Sequence, residues 1–209
     1  MPEAQTPVVP DDGLTTAQRR RRPLVIVHTG DGKGKTTAAM GLALRAWHRG
    51  WPVGVFQFVK SAKWRTGEEA ALRALGDVHA TTGAGAPVTW EAMGLGWTWS
   101  RPSLDAAGAE ASEPADLARE GWEHVKTLLQ AQTHTLYVLD EFTYPVARGW
   151  VDADDVVATL ASRPGTQHVV ITGRRCPEPI LDAADLVTEM TKVRHPFDAG
   201  QRGQAGIEW

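Results

Sequence analysis

Short apolar runs alternate along this chain with longer stretches of helical spacing. Six runs rich in apolar residues predict strands, at residues 24–28, 53–59, 78–81, 135–140, 167–172 and 185–190. Apolar positions at helical spacing predict helices at residues 35–49, 68–75, 114–130 and 153–161. Strands and helices that alternate in this way form a mostly parallel sheet with helices on both faces. The pattern therefore predicts a single α/β domain.

Cap and loop residues refine this outline. Asp152 is the predicted cap of the last helix, whereas Ser112 is a candidate cap for the helix in which Pro114 suits the first turn. Residues 83–113 are rich in Gly, Trp, Ala and Ser and predict a long loop, a kind of segment that is often functional. Residues 1–15 are polar and predict a disordered tail ahead of a folded domain at 16–209.

Composition excludes several classes of function. A formal net charge of −3 disfavours a dedicated nucleic-acid binder, and no apolar run reaches the roughly 18–20 residues of a membrane helix. The beginning of the chain has no apolar stretch typical of a secretory signal. The single cysteine, Cys176, excludes an internal disulfide framework and suits a reducing compartment. We therefore expect a cytoplasmic protein without a nucleic-acid or membrane partner.

A glycine-rich segment lies between the first predicted strand and the first predicted helix. Glycine there lets backbone N–H groups approach phosphate oxygens, and a lysine and a threonine follow to meet the phosphates and Mg²⁺. The usual pattern G-x-x-x-x-G-K-[ST] requires glycine at position 29, where this chain has Thr29. The predicted triphosphate contacts are Gly30, Asp31, Gly32, Lys33, Gly34, Lys35, Thr36 and Thr37.

Two acids end the strand predicted at residues 135–140. The carboxyl ends of parallel strands form the ligand crevice in sheets of this kind, so Asp140 and Glu141 are expected near the phosphate loop. With Thr36 they form a predicted Mg²⁺ site. The residues alone leave open whether Glu141 binds the metal or polarises an attacking water.

Six motifs occur in an order that resembles the ATP:corrinoid adenosyltransferases, from about Thr16 to Trp209. They are the phosphate loop, FQFVK at 56–60, GLGWTW at 94–99, LDEFTY at 139–144, VITGR at 170–174 and HPFDAG at 195–200. The resemblance implies a homodimeric, RecA-like P-loop fold. It also implies transfer of the 5′-deoxyadenosyl group of ATP to the Co(I) of a reduced corrinoid, with release of triphosphate.

The same resemblance implies roles for single residues. Lys35 would hold the triphosphate, Glu141 with Thr36 would hold Mg²⁺ or Mn²⁺, and Trp97 and Trp99 would lie against the lower face of the corrinoid. It further implies a flavoprotein reductant. Arg174 is a candidate for contacts with the nucleotide or the corrinoid, whereas His28 and His195 are expected to be hydrogen-bonded structural residues.

The arginines at 19–22 have two interpretations, a solvated charge cluster at the end of a short helix or an arm over the corrinoid. The chain also departs from the family pattern, with Asp31 for the usual Asn, Trp97 for Phe and Arg175 for Gly, and with Thr191 and Lys192 for Arg-Pro. Two other functions remain open on the residues alone. One is a P-loop ATPase or kinase that cleaves the terminal phosphate of ATP, and the other is a nucleotide-dependent binding module.

Overall fold

Fourteen helices and strands make up the part of the chain described by the computed structural model, residues 12–61, 66–94 and 112–207. The strands are β1 (Val25–Thr29), β2 (Val53–Ser61), β3 (Val88–Gly94), β4 (Leu136–Asp140), β5 (His168–Thr172) and β6 (Leu186–Glu189). The α-helices are α1 (Thr16–Arg19), α2 (Lys35–His48), α3 (Gly67–Thr82), α4 (Ser112–Gln130), α5 (Thr143–Ala147), α6 (Ala153–Ser162) and α7 (Glu178–Asp182). A 3₁₀ helix, Pro196–Ala199, follows the last strand.

The strands form one six-stranded sheet in the order β3-β2-β4-β5-β1-β6, and every neighbouring pair is parallel. β5 separates β1, which leads into the glycine-rich segment, from β4, which ends at Asp140. The predicted single α/β domain with a parallel sheet is therefore confirmed.

Each buried strand sends alternate side chains to two separate apolar clusters. On β1, Val25 and Val27 join the cluster beneath α4, α6 and α7, whereas Ile26 joins the cluster beneath α2 and α3. The other central strands divide their side chains in the same way. A parallel sheet buried on both faces requires this double core, which confirms that helices cover both sides.

The prediction of a third strand at residues 78–81 was wrong. These residues lie in α3, which continues from Gly67 to Thr82, and the strand is β3 inside the segment predicted to be a loop. The helix predicted at residues 68–75 therefore continues through Gly76, where an added Cβ would stand 3.4 Å from the Cβ of Val88. The glycine lets α3 pack closely against β3.

Several helix ends differ from their predicted positions. Asp152 caps α6 by accepting from the amides of Asp154 and Asp155, as predicted. Ser112 is the first residue of α4 rather than the residue before it. Thr15 caps α1, whose last residue is Arg19, so the arginines do lie at the end of a short helix. None of the helices in the described ranges combines the length and apolar composition that crossing a bilayer demands.

Candidate active site

The glycine-rich loop is shaped by the chain that follows β6. The amide of Gly32 donates to the carbonyl oxygen of Met190 at 2.6 Å, and the amide of Met190 donates to the carbonyl oxygen of Thr29 at 2.8 Å. A Cβ on Gly30 or Gly32 would stand 2.6 Å from the Met190 oxygen. These contacts explain the unusual glycine spacing, because the close approach falls at positions 30 and 32, whereas Thr29 is the last residue of β1.

Lys35 opens α2 and lies inside the loop. Only 8% of the residue is exposed, and its Nζ donates to the carbonyl oxygens of Gly30 at 2.7 Å and Gly32 at 2.6 Å. Burial lowers the pKa of Lys35, and the neighbouring Arg174 lowers it further, whereas Glu141 raises it. The ammonium therefore lies among carbonyl groups beside the amino terminus of α2, the position from which it can contact a bound phosphate.

Asp140 accepts three hydrogen bonds at the end of β4, where it is fully buried. Thr36 and Thr172 each donate to Oδ1 at 2.8 Å, and the Gln57 amide donates to Oδ2 at 3.1 Å. The predicted pairing of Asp140 with the phosphate loop is thus direct. Glu141 follows with a left-handed backbone, φ +59°, and its side chain lies close enough to Lys35 to raise the pKa of the lysine.

Arg174 lies beside the phosphate loop on the segment that follows β5. Its Nε is 4.0 Å from Oδ1 of Asp31, and its backbone oxygen accepts from the Thr143 hydroxyl at 2.7 Å. Both side chains of the ion pair are at least half exposed, so the attraction is weak in water. Burial lowers the pKa of Lys33, and the charge of Arg174 lowers it further. Three cationic groups, Lys33, Lys35 and Arg174, therefore lie around the loop.

Other predicted residues have different outcomes. Thr37 lies exposed in the first turn of α2. Trp97 and Trp99 lie outside the described residues. His195 is structural as expected, since its Nδ1 accepts from the Phe197 amide at 3.1 Å. The expectation for His28 was wrong, because its buried imidazole makes no hydrogen bond with the described residues, and burial lowers its pKa.

Two contacting residues were missed by the sequence analysis. Gln57 and Thr172 hold Asp140 but belong to no phosphate-binding or acidic pattern. A usable signal was available in the strand positions, since each is a polar residue two positions after a buried valine in an otherwise apolar strand. Alternation along a strand places such a residue on the same face as that valine.

The donor atoms at this site suit a hard cation. Within the described ranges, His, Cys, Asp and Glu form no group of three that could hold a metal ion by themselves. The Thr36 hydroxyl and the Asp140 carboxylate nevertheless meet at 2.8 Å beside the loop. Mg²⁺ prefers oxygen ligands and is commonly held by one or two protein groups together with substrate phosphates, so these residues fit it.

A sequence model of one protein family matches almost the whole chain. It is the family described as ATP:corrinoid adenosyltransferase BtuR/CobO/CobP, and it matches residues 21–209. The matched range includes the phosphate loop, the acidic end of β4 and Arg174.

Curated relatives from three bacteria are similar over nearly their full length. The corrinoid adenosyltransferase CobA of Salmonella typhimurium is 40% identical over 198 residues, which cover 95% of this chain and 91% of the relative. The corrinoid adenosyltransferase of Escherichia coli K12 is 39% identical over the same shares. That of Pseudomonas aeruginosa is 38% identical over 203 residues, 96% of this chain and 90% of the relative.

Among solved structures, the flagellar accessory protein FlaH from Methanocaldococcus jannaschii aligns with a TM-score of 0.48 at 13% sequence identity. The alignment covers 81% of this chain and 74% of FlaH. A likeness of this size carries no assignment, and the fold rests on the strand order described above.

Proposed function

The chain belongs to the ATP:corrinoid adenosyltransferase family and is an enzyme of that type, and we propose that it transfers the 5′-deoxyadenosyl group of ATP to the Co(I) of a reduced corrinoid. The observation that carries this proposal is a phosphate loop with a buried lysine inside a family match over residues 21–209. The corrinoid is a substrate, either cobalamin or cobyrinic acid a,c-diamide, and ATP is the cosubstrate.

In this reaction the protein has to stabilise the leaving triphosphate, whereas the Co(I) nucleophile requires no general base. Co(I) attacks the ribose 5′-carbon with its electron pair, the cobalt–carbon bond forms, and the carbon–oxygen bond breaks with its electrons leaving on triphosphate. Cobalt is oxidised to Co(III) as the alkyl group is added. In this proposal Lys35, whose Nζ lies within the loop, and backbone amides of the loop stabilise the departing charge. Cys176 is unsuited to compete as a nucleophile, since burial raises its pKa to about 12.

We propose that Thr36, Asp140 and Glu141 hold Mg²⁺, or Mn²⁺ in its place, together with phosphate oxygens of ATP. A bound divalent ion would neutralise charge on the triphosphate. Thr36 contributes its hydroxyl, and Asp140 keeps that hydroxyl oriented at 2.8 Å. Gly30, Gly32 and Gly34 allow the backbone to approach the phosphates, while Lys33 and Arg174 add positive charge beside the loop.

Trp97 and Trp99 are proposed to pack against the lower face of the corrinoid and to exclude its axial ligand, which would make Co(II) easier to reduce. Both belong to the segment between β3 and α4, outside the described residues. Replacing Trp99 with Ala should lower turnover of Co(II) corrinoid far more than turnover of pre-reduced corrinoid. Equal losses with the two substrates would contradict a role in ligand exclusion.

Product analysis tests the reaction itself. The protein is mixed with Mg-ATP and chemically reduced cobalamin, and absorbance is followed as the cobalt is alkylated. We expect a light-sensitive organocobalt product and one triphosphate for each adenosyl group transferred. ADP and phosphate without an organocobalt product would instead support the P-loop ATPase or kinase, and ATP binding without any product would support a binding module.

The family resemblance also supports a homodimer supplied with electrons by a flavoprotein, and we place the protein in the cytoplasm. Apolar surface near the end of the chain supports the dimer. Leu186 and Val187 on β6 are each 46% exposed, and Val193, Phe197 and Ile207 are more exposed still. The free thiol of Cys176 suits a reducing compartment.

A further inference from the structure

One polar side chain from each of four neighbouring strands lies at the same level near the carboxyl end of the sheet. Gln57 of β2 is in register with Asp140 of β4, and His28 of β1 is in register with Thr172 of β5. Extending the β4–β5 register by one residue places Asp140 opposite Thr172. These four residues form a polar row across the sheet.

The polar row faces α2. Two residues earlier on each strand, the side chains belong to the apolar cluster beneath α2 and α3: Val55, Val138, Val170 and Ile26. Alternation along a strand returns to the same face after two residues, so the polar row lies on that face too. The row therefore closes the apolar core below the start of α2, where Thr36 and the phosphate loop lie.

Within the polar row, Gln57 and Thr172 hold the Asp140 carboxylate from two sides. The Gln57 amide donates to one carboxylate oxygen, and the Thr172 hydroxyl donates to the other. Asp140 is completely buried, so no exposed water competes for these oxygens. With both donors in place, Oδ1 keeps its orientation toward the Thr36 hydroxyl.

Thr172 also fixes the residue after Asp140. Its Oγ1 accepts the backbone N–H of Glu141 at 3.0 Å while its own hydrogen goes to Asp140. Glu141 has a φ of +59°, a conformation that a non-glycine residue adopts only where its surroundings stabilise it. One hydroxyl thus sets the direction of both acids at the end of β4.

We propose that Thr172 and Gln57 are positioning residues, which hold Asp140 and Glu141 in the arrangement that serves Thr36 and the metal-bound triphosphate. This inference rests on the proposed function for its effect on turnover. Partners that orient metal-binding groups typically contribute about 10–100-fold to metal affinity or activity. Gln57 acts through Asp140, and Thr172 acts through both Asp140 and the backbone of Glu141.

Four variants test the inference. Thr172→Val removes the hydroxyl at nearly constant volume, and Thr172→Ser restores a hydroxyl. Gln57→Met removes the amide from a side chain of similar length. Thr188→Val is the matched control, because Thr188 lies in register with His28 on the exposed β6 and takes part in none of the four hydrogen bonds described above.

The main readout is the Kd for ATP, measured by titration calorimetry with Mg²⁺ and again with EDTA. We expect Thr172→Val and Gln57→Met to raise the Kd for Mg-ATP about 10-fold and to change the Kd for metal-free ATP less than about twofold. Thr172→Ser and Thr188→Val should stay near the wild type in both. In Thr172→Val the Glu141 amide should also exchange its hydrogen faster, since its acceptor is gone.

Three results would overturn the proposal. The first is an unchanged Kd for Mg-ATP in Thr172→Val or Gln57→Met, and the second is an equal rise with and without Mg²⁺. The third is a similar loss in Thr188→Val. If Thr172→Val fails to fold, Gln57→Met alone decides. Wild-type protein that forms no organocobalt product would contradict the proposed reaction. The positioning role of Thr172 and Gln57 would still be tested by the Kd values for ATP with Mg²⁺ and with EDTA.

Discussion

Arg175 has a backbone angle that favours glycine over other residues. Its φ is +53°, in the left-handed region, where a side chain is strained and glycine is not. Glycine is also the residue that the family resemblance implies at this position. Gly173, with φ +141°, lies on the other side of Arg174, so the segment that presents this arginine to the phosphate loop is bent at both ends.

Replacing Arg175 with Gly should therefore stabilise the protein. We expect a gain of about 0.5–1 kcal/mol in the free energy of unfolding, because relief of the strained φ exceeds the added freedom of the unfolded chain. Urea unfolding measures the change. Arg175→Ala is the control, since alanine removes the charge but keeps the Cβ. The explanation fails if the glycine variant is no more stable than the alanine variant.

Gly32 requires its missing side chain for a different reason. A Cβ there would stand 2.6 Å from the Met190 oxygen, and this neighbour is backbone that cannot rotate away. Gly32→Ala should force the loop from Met190, cost about 1–3 kcal/mol of stability and weaken ATP binding. Gly41→Ala in α2 is the matched control, because no atom lies within 4 Å of its added Cβ. That variant should be slightly more stable than the wild type, and equal ATP affinities in the two variants would contradict the steric argument.

At the scale of elements, the contact between β2 and β4 buries a titratable group. His134, just before β4, packs against the ring of Tyr137, with centroids 5.2 Å apart, and lies over Gly54 of β2. Burial, together with a smaller effect of the charge of His124, lowers its pKa from an ordinary value of 6.5 to about 4. The folded protein therefore keeps His134 neutral over a pH range in which the unfolded chain protonates it.

The protein should become less stable as the pH is lowered, because His134 becomes protonated in the unfolded chain first. Because the folded pKa is the lower one, its contribution is fully present above pH 6.5 and is lost as pH falls from 6.5 toward 4. We expect a loss on the order of 2 kcal/mol in the free energy of unfolding. His134→Gln cannot titrate, so the stability difference between wild type and variant should shift by that amount between pH 7 and pH 4. A constant difference would show that His134 is not the group responsible.

Elements could be predicted from the sequence where one local signal determines them. β1, β4 and β5 are continuous apolar runs, and Asp152 has a cap pattern that needs no distant partner. The length of α3 could not be predicted from local signals, because the glycine within it, Gly76, is explained only by the packing of α3 against β3. The site residues show the same difference between local signals and distant contacts. Lys35, Thr36 and Asp140 follow from motifs, whereas the contacts of Gln57 and Thr172 with Asp140 depend on the strand register.

At the scale of the whole molecule, the strand order gathers the site at one edge of the sheet. β1 and β4 are separated only by β5, so the loop after β1, the acids after β4 and the segment carrying Arg174 after β5 converge. The order also leaves β6 with a single partner, β1, at one end of the sheet. Of the nine large hydrophobic residues exposed in the described ranges, five lie between residues 186 and 207. A soluble surface rarely concentrates apolar groups in this way unless a partner covers them.

The proposed homodimer should therefore depend on this terminal apolar segment, residues 186–207. We expect the wild-type protein to sediment as a dimer. Phe197 is 72% exposed, and Phe197→Asp should shift the protein toward monomer, because a charge placed in an apolar interface loses its hydration. Leu44→Asp is the control, since Leu44 is 51% exposed on α2, outside the terminal apolar segment. Both variants should unfold at urea concentrations near that of the wild type when compared as monomers. A dimer that persists in Phe197→Asp, or that dissociates equally in Leu44→Asp, would place the interface elsewhere.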